Sequence, residues 1–500
     1  MKTKVFGSLL LMEALFMLLA CGVSAYYCHT AGEHDLAALA WPTLLTAVVG
    51  GALTMYARVR CKARQQALSR KDSFLVVALV WIIFSVFGML PFLIYGTTHD
   101  VATAFFESMS GFTSTGATAL TNIDSQPHGI LFWRQLTQWL GGLGIVVFSF
   151  ALLPIYELKN TNMFSAEVTG LSVDKLQPRI GDTARRLLLI YTIMTAVCAV
   201  VYALGPMNKF DAICHAMTTI ATGGFSTHQD SISYWNSPFI EYTCSAFMFI
   251  SGVNFSLYYY ASIGRWRVLF RNEELQWFCR YVVAAVVLFC ALVWACVYLI
   301  PTYTDYHALP ATAEETFRSS LFHVLSITTS TGYQATNFDY VAWGAPFWMP
   351  TLILMVVGAC AGSTGGGVKM IRIIVCIKDV INQFRMQLHP RAVLPIRLSG
   401  RVLPQAKVKS ALSFLYLYFL MVVIGCVVLT SMGWDTDTAL GSSLSCLSNI
   451  GPGTGATGPA GTYAAMPALA KLMLSFFMLV GRLEFYTVLF LFMPSFWRMK

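Results

Sequence analysis

Charge is scarce in this chain. Of its 500 residues, 11% are charged and 56% are hydrophobic, whereas a soluble domain carries about 25% charged residues. The length alone would suit roughly three or four soluble domains, but the apolar runs are too long and too many for that. The 13 cysteines form no C-x-x-C pair and no zinc spacing. That leaves out a disulfide or metal framework and makes them small core residues. No H-E-x-x-H or G-x-S-x-G motif occurs, and the 9 histidines are dispersed. A membrane-embedded enzyme would need clustered nucleophiles or metal ligands, so catalysis and an organic cofactor are not expected.

What is present is apolar length. Ten segments are long enough to cross a bilayer core of roughly 30 Å, which takes about 20 helical residues. They are 5–27, 37–58, 73–96, 129–153, 186–206, 237–262, 278–301, 345–377, 408–432 and 466–494. The expected fold class is all-α integral membrane, with ten transmembrane helices in the lipid bilayer. Lys2, Lys4 and the run through Leu18-Leu19-Ala20-Cys21 resemble a signal peptide, but Glu13 interrupts the run. A second apolar segment follows at once, so a retained N-terminal hairpin is expected. With the N-terminus inside, 28 of the 33 Lys and Arg fall on the inner side, as the excess of basic residues in cytoplasmic loops requires. Both termini are then cytoplasmic. The net charge of +9 is a topology signal and not a nucleic-acid footprint.

A short loop ending in glycine recurs between these segments. It reads Phe112-Thr113-Ser114-Thr115-Gly116, Ile220-Ala221-Thr222-Gly223-Gly224, Thr329-Ser330-Thr331-Gly332 and Ser448-Asn449-Ile450-Gly451. The intervals from Gly116 to Gly224 and from Gly224 to Gly332 are both 108 residues, and the last, to Gly451, is 119. The equal spacing favours Gly224 over the adjoining Gly223. Before each glycine lies an apolar or small stretch, 101–113, 209–221, 317–329 and 437–449, too short to span and so expected as a re-entrant half-helix. Helix, half-helix, glycine loop and helix then repeat four times. The expected units are an N-terminal hairpin at 1–65 and pore repeats at 66–158, 159–264, 265–385 and 386–500.

Irregular backbone at membrane depth is tolerated only where it lines water or is buried in protein. Four polar loops around one aqueous axis meet that condition. Rings of backbone carbonyls replace the hydration shell of potassium, glycine lets the backbone turn its carbonyls inward, and half-helix C-terminal ends favour a cation. Acidic residues on the outer side (Glu33, Asp35, Asp100, Asp124, Asp230, Asp305, Glu314, Glu315 and Asp339) would raise the local cation concentration. The other reading is that these glycines only let helices pack closely.

Glu107, His215 and His323 stand nine positions before the first three glycines. Being on separate repeats, they are expected to bond their own half-helix or loop. Trp133, Trp139, Trp235, Trp343 and Trp348 suit an interfacial aromatic belt, and Arg134 suits a snorkelling anchor. The eighth segment is interrupted by the glycine-rich stretch 358–369, which predicts a non-helical loop or a close-packed kink. Arg482 lies deep in the last segment, where a charge is costly and a functional or paired role is the default, Glu484 being one possible partner. Lys471 lies eleven residues before it, as a second barrier or an outer anchor.

The loops Thr113-Ser114-Thr115-Gly116-Ala117-Thr118, Ala221-Thr222-Gly223-Gly224-Phe225-Ser226-Thr227, Thr331-Gly332-Tyr333 and Asn449-Ile450-Gly451-Pro452-Gly453 resemble the four filter loops of the Trk/Ktr/HKT potassium transporter superfamily. The N-terminal hairpin resembles its TrkH/TrkG-type branch. The resemblance implies potassium uptake across a bacterial inner membrane, channel-like or proton-coupled. K+ would be held at Thr115, Gly116, Gly223, Gly224, Thr331, Gly332, Ile450 and Gly451. It implies an intramembrane gate loop at Gly362, Ser363, Thr364, Gly365, Gly366 and Gly367, and a pore barrier at Arg482 that contacts it. It also implies a homodimer and a cytosolic nucleotide-binding regulatory subunit of TrkA type, with the basic stretch 378–409 as a contact surface or a plain positive-inside loop. A sodium or poorly selective monovalent cation pathway on the same scaffold is the alternative, and glycine at all four positions favours potassium.

Overall fold

Four short helices begin where a side chain supplies a missing backbone partner. In the computed structural model, which describes residues 2–60, 70–157, 180–298, 310, 312–335 and 344–498, Asp100 accepts from the N–H groups of Ala102 and Thr103. Asn208 and Asp435 accept from Asp211 and Thr438, and Thr312 forms a capping box with Glu315. Each cap satisfies N–H groups that a helix start leaves open. The helices that follow have 12, 12, 16 and 13 residues, too short to cross a bilayer. They match the expected half-helices, except that the capping box starts the third at Ala313 and not at 317.

In chain order the helices are α1 (Lys2–Ala31), α2 (Leu36–Arg60), α3 (Arg70–Gly88), α4 (Leu90–Tyr95), α5 (Val101–Phe112), α6 (His128–Glu157) and α7 (Ile180–Ala203). Then come α8 (Lys209–Ile220), α9 (Pro238–Ser251), α10 (Phe255–Ser262), α11 (Trp266–Phe270), α12 (Glu273–Tyr298), α13 (Ala313–Thr328) and α14 (Ala345–Val356). The last are α15 (Met370–Leu388), α16 (Gln405–Ser431), α17 (Thr436–Ser448), α18 (Ala468–Arg482), α19 (Tyr486–Leu489) and α20 (Pro494–Arg498). A two-stranded hairpin, β1 (Arg397–Leu398) and β2 (Arg401–Val402), lies between α15 and α16. The boundaries at 65/66 and 158/159, most of the basic stretches 58–71 and 159–186, and Asp305, Asp339 and Trp343 lie outside the described residues.

The protein is predominantly helical. Among the described residues six helices are long and apolar enough to cross a membrane, and α18 with the chain after it makes a further pair bent by 115°. The expected segment 129–153 falls within the continuous helix α6. The third expected segment, 73–96, is interrupted only by the single turn residue Met89; three others are broken more fully, where the sequence pointed to a break in the eighth alone. The eighth is interrupted between α14 and α15, the sixth at Gly252-Val253-Asn254 and the tenth at Leu483-Glu484-Phe485. At the tenth break Glu484 and Phe485 have φ of 57° and 60°.

The expectation for Trp133 and Arg134 is corrected. Trp133 is fully buried with its indole N–H donating to Gly88 O at 3.0 Å, and Arg134 is 1% exposed. Both project from the first turns of α6 against α5, not toward lipid. Arg134 Nε donates to Glu107 at 2.7 Å, Nη1 donates to Ser226 O at 2.8 Å, and the guanidinium lies 3.6 Å from the Phe225 ring centre. Trp139 and Trp235 are half-buried, and Trp348 donates to Asp437. Breaking a buried ion pair from one side costs about 3–5 kcal/mol, because the remaining charge stays buried. Arg134→Met should therefore lower the thermal midpoint in detergent sharply, and the double variant Glu107→Gln/Arg134→Met should recover part of the loss.

Candidate ion pathway

Each glycine loop is tied by its N–H groups to the helix that precedes it. Thr115, Gly223, Thr331 and Ile450 donate to the carbonyls of Ser110, Thr218, Ser326 and Ser445, at 2.8, 2.8, 2.9 and 3.0 Å. Two residues before each glycine the backbone is left-handed, at Ser114, Thr222, Ser330 and Asn449 (φ 50°, 51°, 57° and 54°). The glycines are left-handed too, with φ of 84°, 75°, 75° and 109° at Gly116, Gly224, Gly332 and Gly451. A non-glycine residue in this region costs about 1–2 kcal/mol, and it persists where the surroundings enforce it. Alternating the sign of φ turns successive carbonyls to the same side of the strand. The N–H groups are bonded backwards; among the carbonyls, Gly223 O accepts from Gln138 Nε2 at 2.6 Å and Gly451 O from Tyr463 Oη at 2.9 Å.

The loops close on one another in a cycle. A Cβ on Gly116 would lie within 3 Å of Gly223 O, on Gly224 of Thr331 O, on Gly332 of Ile450 O, and on Gly451 of Thr115 O. Every glycine thus abuts the carbonyl just before the glycine of the next loop. Gly224, not Gly223, takes the place of Gly116, Gly332 and Gly451 in this cycle.

The stretch between α14 and α15 lies against the starts of the second, third and fourth loops, where the short helices end. A parallel bridge between Val357 and Val368 closes its base. Thr364 Oγ1 donates to Ile220 O at 3.1 Å, and Gly366 N–H donates to Ser330 Oγ. A Cβ on Gly365 would meet Thr329 O and one on Gly366 would meet Ser448 O. Arg482 is 5% exposed and donates to Thr364 O at 2.7 Å and to Ser114 Oγ and Gly141 O at 3.2 Å. Its partner is not Glu484, which pairs with Arg372 at 2.6 Å. Gly362, Ser363 and Gly367 complete the loop, with left-handed φ at both glycines.

Lys471 lies elsewhere. Its Nζ donates to Thr103 Oγ1 and to Ala464 O, both at 2.9 Å, so it joins α18 to the start of α5. Glu107 accepts from Thr118 and Ala119 in its own loop as well as from Arg134. His215 bonds Asp211 O and Ser226 Oγ at 2.9 Å, and His323 bonds Thr351 at 3.0 Å. Glu107 and His215 are linked through Arg134 and Ser226, and the bond of His323 to Thr351 on α14 corrects the expectation that it serves its own half-helix or loop.

On their far side the loops face a solvent-continuous cavity lined by all four glycines and by His228. His228 stacks on Tyr234 and lies 3.0 Å from Asp124 and 3.2 Å from Asp211. Burial pushes its pKa down, but the bonds and charges of Asp211 and Asp124 outweigh this and hold it above the ordinary value. Several of the expected outer acids are engaged structurally: Asp100 and Glu315 in caps, Asp35 with Ser24, and Glu33 with His128.

Sequence reasoning missed Gln138, whose amide bonds the second loop, and Glu274, which accepts from Ala361 N at 2.7 Å within the interrupted stretch and from Ile371 N at 3.2 Å in the first turn of α15. Neither has a counterpart at the repeat spacing. One signal was available: a Ser or Thr stands six positions before every ring glycine (Ser110, Thr218, Ser326, Ser445).

Four glycine loops that close in a cycle among membrane-length helices form the candidate ion pathway of a membrane transport protein. Residues 44–499 match the TrkH family model, described as a cation transport protein. The chain belongs to the TrkH family, a family of multi-pass membrane transporters and not of enzymes. It is 36% identical over 501 residues to the Trk system potassium uptake protein TrkH of Salmonella typhimurium, covering 99% of each chain. It is 38% identical over 436 residues to TrkH of Escherichia coli K12, covering 86% of this chain and 87% of that one. To TrkG of the same organism it is 34% identical over 435 residues, covering 86% of each. The crystal structure of the potassium transporter TrkH from Vibrio parahaemolyticus has a similar fold, with a TM-score of 0.86, 31% identity and 99% of both chains covered.

Two tests follow from the geometry. Gly224→Ala forces an alanine into the left-handed region, at a cost of about 1–2 kcal/mol, and against Thr331 O, so cation flux into proteoliposomes should fall at least about tenfold. Gly223→Ala meets only the Gln138 side chain and should be milder; equal effects would argue against the cyclic register. For His228, raising the pH of the cavity side through its elevated pKa removes a positive charge from the mouth. Cation entry at low ionic strength should then rise, and His228→Gln should flatten this pH profile.

Proposed function

We propose that this protein takes up potassium across the bacterial inner membrane through a single central pore. The observation that carries the reading is the cyclic closure of four glycine loops in a chain of the TrkH family, whose relatives are named as potassium uptake proteins. The fold we propose has ten membrane crossings: an N-terminal hairpin at 1–65, then pore repeats at 66–158, 159–264, 265–385 and 386–500, with both termini cytoplasmic. Potassium is the cargo. It enters from the His228 cavity and exchanges its water shell for the carbonyl oxygens at Thr115, Gly116, Gly223, Gly224, Thr331, Gly332, Ile450 and Gly451. Its size suits such a ring, and the C-terminal ends of α5, α8, α13 and α17 add negative potential behind it.

Below the ring, Gly362–Gly367 acts as the gate. Arg482 serves as an electrostatic barrier whose bond to Thr364 O tethers the gate to α18. Lys471, bonded to Thr103, is better placed as an anchor between the fourth and first repeats than as a second barrier. We further propose a homodimer and a cytosolic nucleotide-binding partner of TrkA type, docking on the basic stretch 378–409 that carries the β1–β2 hairpin. Lys378 of that stretch pairs with Glu273 and Ser399 N–H donates to the same carboxyl, so the hairpin is joined to the start of α12.

Potassium or rubidium uptake in potassium-transport-deficient cells tests this. Gly116→Ser places a side chain against Gly223 O and should lower discrimination against sodium about tenfold or more. Arg482→Ala removes a buried charge from the pathway and should raise the maximal rate by about tenfold, equivalent to about 1.4 kcal/mol of barrier. If neither substitution changed selectivity or rate, the pore reading would be wrong.

A further inference from the structure

In three of the four loops the residue before the ring glycine carries a side chain: Thr115, Thr331 and Ile450. Thr115 and Thr331 use it to bond Thr113 and Thr329 within their own loops, at 2.7 and 2.8 Å. The second loop has Gly223 there, and nothing in its own sequence replaces that side chain. A Cβ at Gly223 would collide with the carboxamide of Gln138, which reaches in from α6 and is wholly buried. Its Nε2 donates to Gly223 O at 2.6 Å and its Oε1 accepts from Phe225 N–H at 3.0 Å. The Phe225 N–H can only donate, so the orientation of the amide is determined by its partners. One turn earlier on the same helix, Arg134 holds Ser226 O and the Phe225 ring.

Gly223 O is the ring carbonyl that Gly116 abuts. Among the described residues no side chain donates to the equivalent carbonyls of Thr115, Thr331 or Ile450. From this we infer that Gln138 is a specificity-determining residue: it supplies in trans the side chain the second loop lacks, holds that loop at the ring radius, and weakens the field of one carbonyl. This rests on reading the ring as the potassium filter. A carbonyl that shares its lone pairs with an amide donor attracts a compact ion less strongly, and a loop held on both sides of Gly223 cannot close in around one. Both effects work against sodium, which needs a tighter and stronger ring than potassium does.

The test is flux of potassium and sodium into proteoliposomes by the parent, Gly116→Ser, Gln138→Met and the paired variant Gln138→Ala/Gly223→Thr. Gln138→Met keeps the length and removes both bonds. It should raise the KM for potassium and lower potassium-over-sodium discrimination by about tenfold, the scale of one or two hydrogen bonds lost at the ring. The paired variant restores the pattern of the other loops and should regain part of the discrimination that Gln138→Ala alone loses. A purely structural role would lower both fluxes together and leave their ratio unchanged, and that result would overturn the inference. If Gln138→Met does not fold, Gln138→Asn decides by the difference between potassium and sodium in raising the thermal midpoint of purified protein. A difference reduced from the parent's supports the inference, and one equal to it overturns the inference. If parent and Gly116→Ser fail to discriminate at all, the filter reading itself falls; if they behave as expected and only the Gln138 variants match the parent, the role of Gln138 alone falls.

Discussion

Backbone amide groups buried at membrane depth must all find partners, and the rest of this structure depends on how the four loops meet that demand. Their N–H groups turn back onto their own short helices, onto carbonyls five residues earlier. Among the described residues that choice leaves the carbonyls of Thr115, Thr331 and Ile450 without donors, while Gly223 O accepts from Gln138 and Gly451 O from Tyr463; an unpaired carbonyl would be costly in a dry interior. The cost disappears if a cation or water takes the donor's place. The same geometry that satisfies the loops' N–H groups therefore leaves the carbonyls of Thr115, Thr331 and Ile450 for the proposed ion.

A ring built this way needs lateral support, because a glycine set against a carbonyl supplies no directed bond of its own. The support comes from long polar side chains that cross between neighbouring parts. Arg134 and Gln138 reach from α6 to the second loop, Arg318 reaches Glu241 at 2.9 Å, Trp348 reaches Asp437, and Lys471 reaches Thr103. Asn449 completes the circuit from the fourth loop to Thr115 at 2.9 Å. Buried charge is expensive in an apolar interior, so its concentration along these junctions reflects geometry that apolar contacts do not supply. A Leu or Phe would fill the space but would not set a carbonyl's direction.

Much of this was legible in the sequence, for a definable reason. The short helices and their glycines recur, the first three at equal spacing, because each glycine must abut the carbonyl before the next loop's glycine, so the constraint is written four times. The break in the eighth segment was legible because glycine-rich sequence cannot hold a helix. Arg134 was read as a surface anchor because its neighbour Trp133 suggested an interface. Its partner Glu107 lies 27 residues earlier, and only the packing of α6 on α5 joins them. Gln138 and Glu274 were invisible for the same reason: each acts once, across the fold, on backbone atoms that no residue type announces.

The two unexpected helix breaks follow from the expected one. An interrupted helix leaves carbonyls and N–H groups without partners on both sides of the gap, and within a membrane-spanning region water is a poor substitute. Here the gaps serve each other. Phe255 N–H, just past the sixth-segment break, donates to Gly362 O at 3.0 Å, and Cys360 N–H donates back to Gly252 O at 3.1 Å. Glu274 takes the N–H groups of Ala361 and Ile371. Glu484, at the third break, holds Arg372 in the first turn of α15. A glycine-rich loop under the ring thus requires neighbouring helices to open their own backbones toward it. Ordinary residues such as Val253, Leu483 and Phe485 do this without any compositional sign. The breaks form one bonded unit, so displacing the loop would expose polar groups in all of them at once; for the proposed gate this favours two discrete states over a continuous range.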